Sequence, residues 1–493
     1  MIEYTDTRSL EDRLWEQNEK TERLMQEALD AAFGESPETR KEVAELVENV
    51  NEMTKPHYEL ASEISKKNPV LDRFTDHGPE HIKEVTTNAL MFSEAYKSLA
   101  EANGIPRDSA AAINERAVLV AALYHDTGMD GGLTSVEEYD NVLQKSITEN
   151  EKIGIADAEG ASKEKLGEGI RKNHPAASAV HVLEDAEALK EKGVDPNEVA
   201  ALTLMHSKST SGVKMEAAPS DYEKRLNELV DGYREKGIDV DTAAFAKAGA
   251  DGKLQMREGD EAEAAFIRFE VEAAIERLAA DAKAGGVEFD PSFLGEMSQD
   301  GKFTITDEDA YTRMQYETSL LRLADGQRPV KDVNLTQSGK LIEITPMPED
   351  AVQCPGVESE LQLQEVKLVP LGEADGIDTT INAGPIEDPM SKKYYIGENN
   401  LDTCGVAYSQ ETGKLEIVHR VKNPGAAFNS TFMVLKGRME ECRMPAMKKD
   451  VCQVVQLQNC PREKARAYIV RLKGLNGGDR PESSKINFRV ESV

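Results

Sequence analysis

The sequence predicts a mainly α-helical bundle followed by a smaller α+β domain. Three observations carry that expectation. The chain has 493 residues, too many for one ordinary hydrophobic core, so two or more domains are expected. Apolar residues recur at helical spacing from about residue 8 to residue 330. Near residue 330 the texture changes to Pro, Gly and short runs of strand-like alternation.

Each helical stretch follows from its spacing. "SLEDRLWEQNEKTERLMQEALDAAF" repeats Leu10, Leu14, Leu24, Met25 and Ala28. "HIKEVTTNALMFSEAYKSLAEA", "INERAVLVAALYHD" and "DYEKRLNELVDGYREKG" follow, then "DEAEAAFIRFEVEAAIERLAADAKA" and "DAYTRMQYETSLLRLAD". Asp and Ser cluster where several begin, as N-caps do. Residues 1–69 read as N-terminal helices packing on a core domain of residues 70–335. The acidic stretch from about 209 to 305 reads as helices inserted into that bundle. In the remaining 336–493, "KLIEI", "ELQLQEVKLV", "KLEIVHRV", "CQVVQLQ", "ARAYIVRL" and "KINFRVESV" read as strands, and "GAAFNSTFMVLKGRMEEC" as a helix ending before Pro445. No internal repeat or low-complexity segment is evident.

Composition excludes several function classes. The formal net charge is −32, which argues against nucleic acid or an anionic membrane as partner, because phosphate contacts need Lys and Arg surfaces. An anionic small molecule held in a local, metal-bearing pocket is still compatible. No apolar run approaches the roughly 18–20 residues that span a bilayer. The first residues are rich in acids and lack the apolar core of a signal peptide, so a cytoplasmic location is expected. Five Cys, all from Cys354 onward and without a Cys-x-x-Cys pair, read as reduced thiols. Serine-nucleophile, Walker-type and dinucleotide motifs are missing from the sequence.

The eight histidines carry the chemistry. "LYHDTGM" ends an apolar helix on His125 and Asp126. "FTDHGPEHIKEV" contains His77 and His81, "IRKNHPAASA" contains His174, and "LTLMHSKSTSG" contains His206. Asp325 closes the run "SLLRLADGQR". Each stands at or near the end of an apolar helical stretch, where a bundle can point it inward. Mixed imidazole and carboxylate donors favour Mn, Fe or Zn, whereas an all-oxygen set favours Mg or Ca. His181, seven residues after His174, reads as core packing, and His57 and His419 read as incidental.

This order resembles the HD-domain metal-dependent phosphohydrolases over about residues 70 to 335. "HIKEV" is similar to their first element, "LYHDTG" to their second, "RKNHPAASA" and "MHSKSTSG" to the two intermediate elements, and "LRLADG" to the last. Two features depart from the family pattern: the acidic insert is long, and Gly326 replaces a small apolar residue after Asp325. The resemblance implies an HD-type helical bundle holding two divalent cations (Mn, Fe, Zn or Mg). Asp126 would bridge them, His81, His125 and Asp325 would complete one, and His174 and His206 the other. It implies cleavage of a phosphoester in a nucleotide-like, anionic phosphorylated small molecule by a metal-bridging hydroxide. Lys172, Lys208 and Arg328 would then bind phosphate oxygens and stabilise leaving-group charge, with His77 as a substrate contact or an outer donor. Two other readings stay open on the same residues: a mixed-valent di-iron HD oxygenase, and a non-catalytic ligand sensor or scaffold. The C-terminal domain is expected to bind a ligand, a partner or a second copy of the chain.

Overall fold

The computed structural model of the chain describes residues 25–34, 36–68, 79–106, 112–206, 219–235, 240–257, 259–326, 340–344, 366–370, 401–421, 450–457, 462–475 and 486–492, with a few single residues between them. The fold is mainly helical, with a small sheet region later in the chain. The helices are α1 (Pro37–Lys67), α2 (Pro79–Ala102), α3 (Glu115–Tyr124), α4 (Val136–Lys152), α5 (Ala158–Glu184), α6 (Ala186–Glu191) and α7 (Pro196–Met205). Then come α8 (Pro219–Glu235), α9 (Asp260–Gly285) and α10 (Glu308–Gly326). Among the described residues no helix is long and apolar enough to cross a membrane.

The centre of the bundle is α3, in which every residue from Ala117 to Tyr124 is buried. A helix apolar on all sides belongs inside other helices, and α3 shares one core with residues of α1, α2, α5, α7, α9 and α10. Its N-terminus is closed by Asn114, whose side chain accepts from the Ala117 amide at 3.3 Å. The Asn114 amide donates to Glu317 Oε1 at 2.7 Å, and its side chain donates to Glu198 Oε2 at 2.8 Å. Arg313 reaches the other Glu198 oxygen at 2.8 Å. This polar knot joins α3, α7 and α10 at one end of the bundle and fixes where their opposite ends fall.

The stretch read as inserted helices holds α8 and α9, and also two hairpins absent from the sequence reading. The strands β1 (Ala246–Ala248) and β2 (Leu254–Met256) pair antiparallel, as do β3 (Gly295–Met297) and β4 (Phe303–Ile305). Three-residue strands are too short to show a period of two. Val271, Ala274, Ile275, Leu278 and Ala282 of α9 join the main core together with Phe303 and Ile305.

Beyond α10, β5 (Lys340–Ile344) pairs antiparallel with β6 (Val366–Pro370). A four-stranded sheet follows, from β7 (Leu401–Ser409), β8 (Lys414–Val421), β9 (Val451–Leu457) and β10 (Asn487–Ser492), in the order β10-β9-β8-β7. The β7–β8 pair is antiparallel, while β8–β9 and β9–β10 are parallel. Parallel neighbours need crossovers. The helix α11 (Arg462–Leu475) lies between β9 and β10 in the chain, and the buried Phe432, Leu435 and Met439 lie between β8 and β9. "ARAYIVRL", expected as a strand, is therefore part of a helix. Tyr468 and Leu472, four residues apart, are buried, while Val470 between them is 53% exposed; a strand would place all three on one face. Along β8, Leu415, Ile417, His419 and Val421 face inward, and His419 Nε2 meets Gln453 Oε1 on β9 at 2.5 Å. Leu415, Ile417 and Val451 belong to the helical core, so the sheet rests on the bundle.

Candidate metal centre

Three helices end at one place. The C-terminus of α3 presents His125 and Asp126, that of α7 presents His206, and the last turn of α10 presents Asp325. Each C-terminus carries roughly half a negative elementary charge from its aligned peptides, which favours a cation nearby. His81, in the first turn of α2, and His174, in the middle of α5, complete the cluster.

Three of the four imidazoles are oriented by the same device, a helix carbonyl. Because α3 stops at Tyr124, the Ala122 carbonyl has no ladder donor, and His125 Nδ1 donates to it at 2.7 Å. At the end of α7, the Thr203 carbonyl receives His206 Nδ1 in the same way, at 2.6 Å. His174 sits inside a helix, but the next residue is Pro175, which has no N–H for the Arg171 carbonyl. His174 Nδ1 donates there instead, at 2.6 Å. A carbonyl only accepts, so each ring is fixed with hydrogen on Nδ1, and its Nε2 faces the cluster.

At the centre lies Asp126, with its side chain 2% exposed. Its Oδ2 is 3.3 Å from His81 Nε2 and 3.1 Å from His125 Nε2. Its Oδ1 is 3.3 Å from His174 Nε2 and 3.8 Å from His206 Nε2. Asp325 Oδ1 lies 3.3 Å from His81 Nε2 and 3.8 Å from His125 Nε2. The two imidazole pairs are themselves close, at 3.4 Å for His81–His125 and 3.1 Å for His174–His206, measured between Nε2 atoms. Buried His and Asp groups in this arrangement can hold metal ions, in one group of His81, His125 and Asp126 and another of Asp126, His174 and His206.

The electrostatics of the two sides differ. Burial alone would lower the His125 pKa, but the carboxylates of Asp126 and Asp325 outweigh it and push the imidazole up to about 9. His206 is driven down to about 3 by burial and by the positive charge of His174 and His125. Burial opposes ionisation of Asp325, yet its bond to His81 and the charge of His125 hold the carboxyl below the usual range. On the His125 side a proton thus stands where a cation would stand. On the other side His206 is neutral, and its Nε2 lone pair meets His174 Nε2 at 3.1 Å. Two ring nitrogens at that separation need something positive between them, a proton or a metal cation.

The turn after Asp126 is locked onto α5. Ser178 donates its hydroxyl to the His125 carbonyl at 2.8 Å and accepts the Gly128 amide at 2.8 Å. A Cβ on Gly128 would lie 2.1 Å from the His174 carbonyl oxygen, so only glycine permits this approach. Tyr58 of α1 adds a hydroxyl bond to the Leu123 carbonyl at 2.8 Å. Buried Arg322 donates from Nε to the His206 carbonyl at 3.3 Å. Neither Ser178 nor Tyr58 stands out in the sequence, because both act through the backbone of the ligand turn.

All six residues expected as ligands are therefore brought together. Of the expected phosphate contacts, His77, Lys208 and Arg328 lie outside the described residues. Lys172 is exposed and sits about 200° around α5 from His174, at 3.6 residues per turn. It does not share the face that carries the ligand. Arg171, about 60° from His174 on the same helix, does share it.

Comparison of the chain with family models, with curated proteins and with solved structures gives no match.

Proposed function

We propose that the chain is a metal-dependent phosphohydrolase of the HD-domain kind, cleaving a phosphoester in a nucleotide-like anionic substrate. The observation that carries this reading is the division of Asp126, one carboxylate oxygen toward His81 and His125 and the other toward His174 and His206. His81, His125 and Asp325 would hold one divalent cation, His174 and His206 a second, and Asp126 would be shared. The donors fit: His174 and His206 bring their Nε2 atoms within 3.1 Å of each other, and three helix C-termini favour positive charge there. When bound, such a pair supplies Lewis acidity toward a phosphoryl oxygen and a water acidified toward the neutral range.

The chain's own residues do the remainder. Backbone carbonyls of Ala122, Thr203 and Arg171 hold hydrogen on Nδ1 of three imidazoles and so turn their Nε2 atoms toward the centre for ligation. Burial of His81, His125, Asp126 and His206 excludes water from one side. Asp325, with its side chain 34% exposed, marks where solvent and a substrate reach the centre. Arg171, exposed and on the ligand-bearing face of α5, would be the cation that meets a phosphate oxygen.

The test is elemental analysis of the purified full-length protein beside Asp126→Ala, followed by hydrolysis of phosphomonoester and phosphodiester substrates. Transition metal at this centre, lost in the variant along with hydrolysis, supports the reading. Iron alone with no hydrolysis of any phosphoester would replace it with the oxygenase reading. A metal-free cluster after reconstitution would leave a ligand sensor or scaffold.

A further inference from the structure

Four residues beyond Asp126 the same turn ends on Asp130, whose side chain is fully buried. Its Oδ2 lies 2.8 Å from His57 Nδ1 and 3.7 Å from His181 Nε2. His57 belongs to α1 and His181 to α5, and their rings stack at 3.7 Å between centroids, 21° from parallel. One turn along α5 stands Glu184. His57, His181 and Glu184 each present one donor atom, and the three lie within 4.8 Å of one another. None of them belongs to the six-residue cluster.

The hydrogen positions at this second group follow from its partners. Thr127 has one hydroxyl hydrogen and gives it to the Tyr124 carbonyl at 2.9 Å. Its oxygen is thus the acceptor for His181 Nδ1 at 3.2 Å. With that hydrogen on Nδ1, His181 turns its Nε2 toward Asp130 Oδ2 at 3.7 Å. His57 gives its Nδ1 hydrogen to that same oxygen, which leaves Nε2 as its remaining ring nitrogen. Two imidazoles and the carboxylates of Asp130 and Glu184 thus converge, and a metal cation suits that set.

We propose that His57, His181 and Glu184 form a separate binding site for one divalent transition metal of the zinc class, with Asp130 as the carboxylate that orients His57. Two imidazoles and one carboxylate are a zinc-type donor set, and a ligating histidine that gives its other N–H to a buried carboxylate is the usual supporting arrangement. His57 is partly buried, with its side chain 23% exposed, and Glu184 is exposed, so the ion enters from solvent and one coordination position stays open to water. Occupancy ties α1 to α5 beside the short turn that begins at Asp126, and so stiffens that turn.

The experiment is a Co2+ titration of the full-length chain, followed by its visible d–d bands and by stoichiometry after gel filtration. In Asp126→Ala/His206→Ala, which lacks the shared ligand of the first centre, one Co2+ per chain is expected to remain. It should vanish when Glu184→Gln is added, an exchange at an exposed position that keeps side-chain volume. In the otherwise unaltered chain, Glu184→Gln alone should lower the count by one. A count unchanged by Glu184→Gln in both backgrounds overturns the proposal. An unaltered chain that binds one Co2+, lost in Glu184→Gln, would uphold this site while the dinuclear reading fails.

Discussion

Pro175 withholds an amide hydrogen from the Arg171 carbonyl, and His174 fills that place at 2.6 Å. One residue's missing donor thereby fixes its neighbour's tautomer. Pro175→Ala restores the competing N–H. Helix propensity improves by about 3 kcal/mol at that position, so the metal-free protein should melt at a higher temperature or unchanged. Affinity for the ion on the His174/His206 side should nevertheless fall, by about 10–100-fold if the carbonyl acts as an outer support. Paired thermal melts and metal titrations check the two signs, and unchanged affinity would show that the carbonyl does not orient His174.

Asp126→Ala removes the one group placed between both imidazole pairs. The expected result is loss of metal from both sides with helix content nearly unchanged, read by elemental analysis and far-UV circular dichroism. Metal retained in full would show that the four imidazoles suffice without the carboxylate.

Arg171→Ala and Lys172→Ala separate position in sequence from position in space. If substrate phosphate meets the His174 face of α5, Arg171→Ala should raise KM about tenfold or more, and Lys172→Ala should leave kcat and KM near those of the parent. Steady-state kinetics on any phosphoester the protein turns over provides the check, and the reverse ranking would show that the substrate approaches over the other face.

Gly128→Ala drives a methyl group into the His174 carbonyl, where 2.1 Å is available. Overpacking of this severity costs about 3 kcal/mol and separates the ligand turn from Ser178. A denaturant midpoint close to the parent's would mean that the turn and α5 can part without penalty.

Glu270 titrates in a buried setting. Burial pushes its carboxyl up to about 8 in spite of Arg225, 2.6 Å away, and Arg322. Its ordinary value is 4.5, so between these values the folded chain holds a proton that the unfolded chain has released. The sign follows: this contribution to stability is fully present below about pH 4.5 and is lost as pH rises through about 8. Glu270→Gln does not titrate, so its melting temperature should fall less than the parent's between pH 5 and pH 8.5. Parallel pH dependences would show that Glu270 is already ionised in the folded state.

Much of this arrangement was legible in the sequence, and the rest shows why not all of it was. His125-Asp126 and Asp325 announce themselves because each closes an apolar helix, a local pattern that the fold merely assembles. Lys172 misleads because neighbours along a helix diverge by about 100° per residue. "ARAYIVRL" misleads because its small and apolar residues fit both periods, and only the exposure of Val470 decides between them. His57 and His181 read as incidental or core because their relationship exists only once α1 lies beside α5; the stack at 3.7 Å leaves no trace in spacing.

The sheet is coupled to the centre by two rigid rods. Tyr316 of α10 packs against Tyr96 of α2 with ring centroids 4.4 Å apart and planes tilted by 36°, and its hydroxyl meets Asp450, just before β9, at 3.2 Å. From that anchorage α10 runs nine residues, about 13 Å at 1.5 Å per residue, to Asp325, while α2 runs back to His81. Arg322 of α10 holds the His206 carbonyl at 3.3 Å, so a load on the sheet, from a bound molecule or a second subunit, would be felt as a small axial slide of Asp325 and His81 that also pulls on His206.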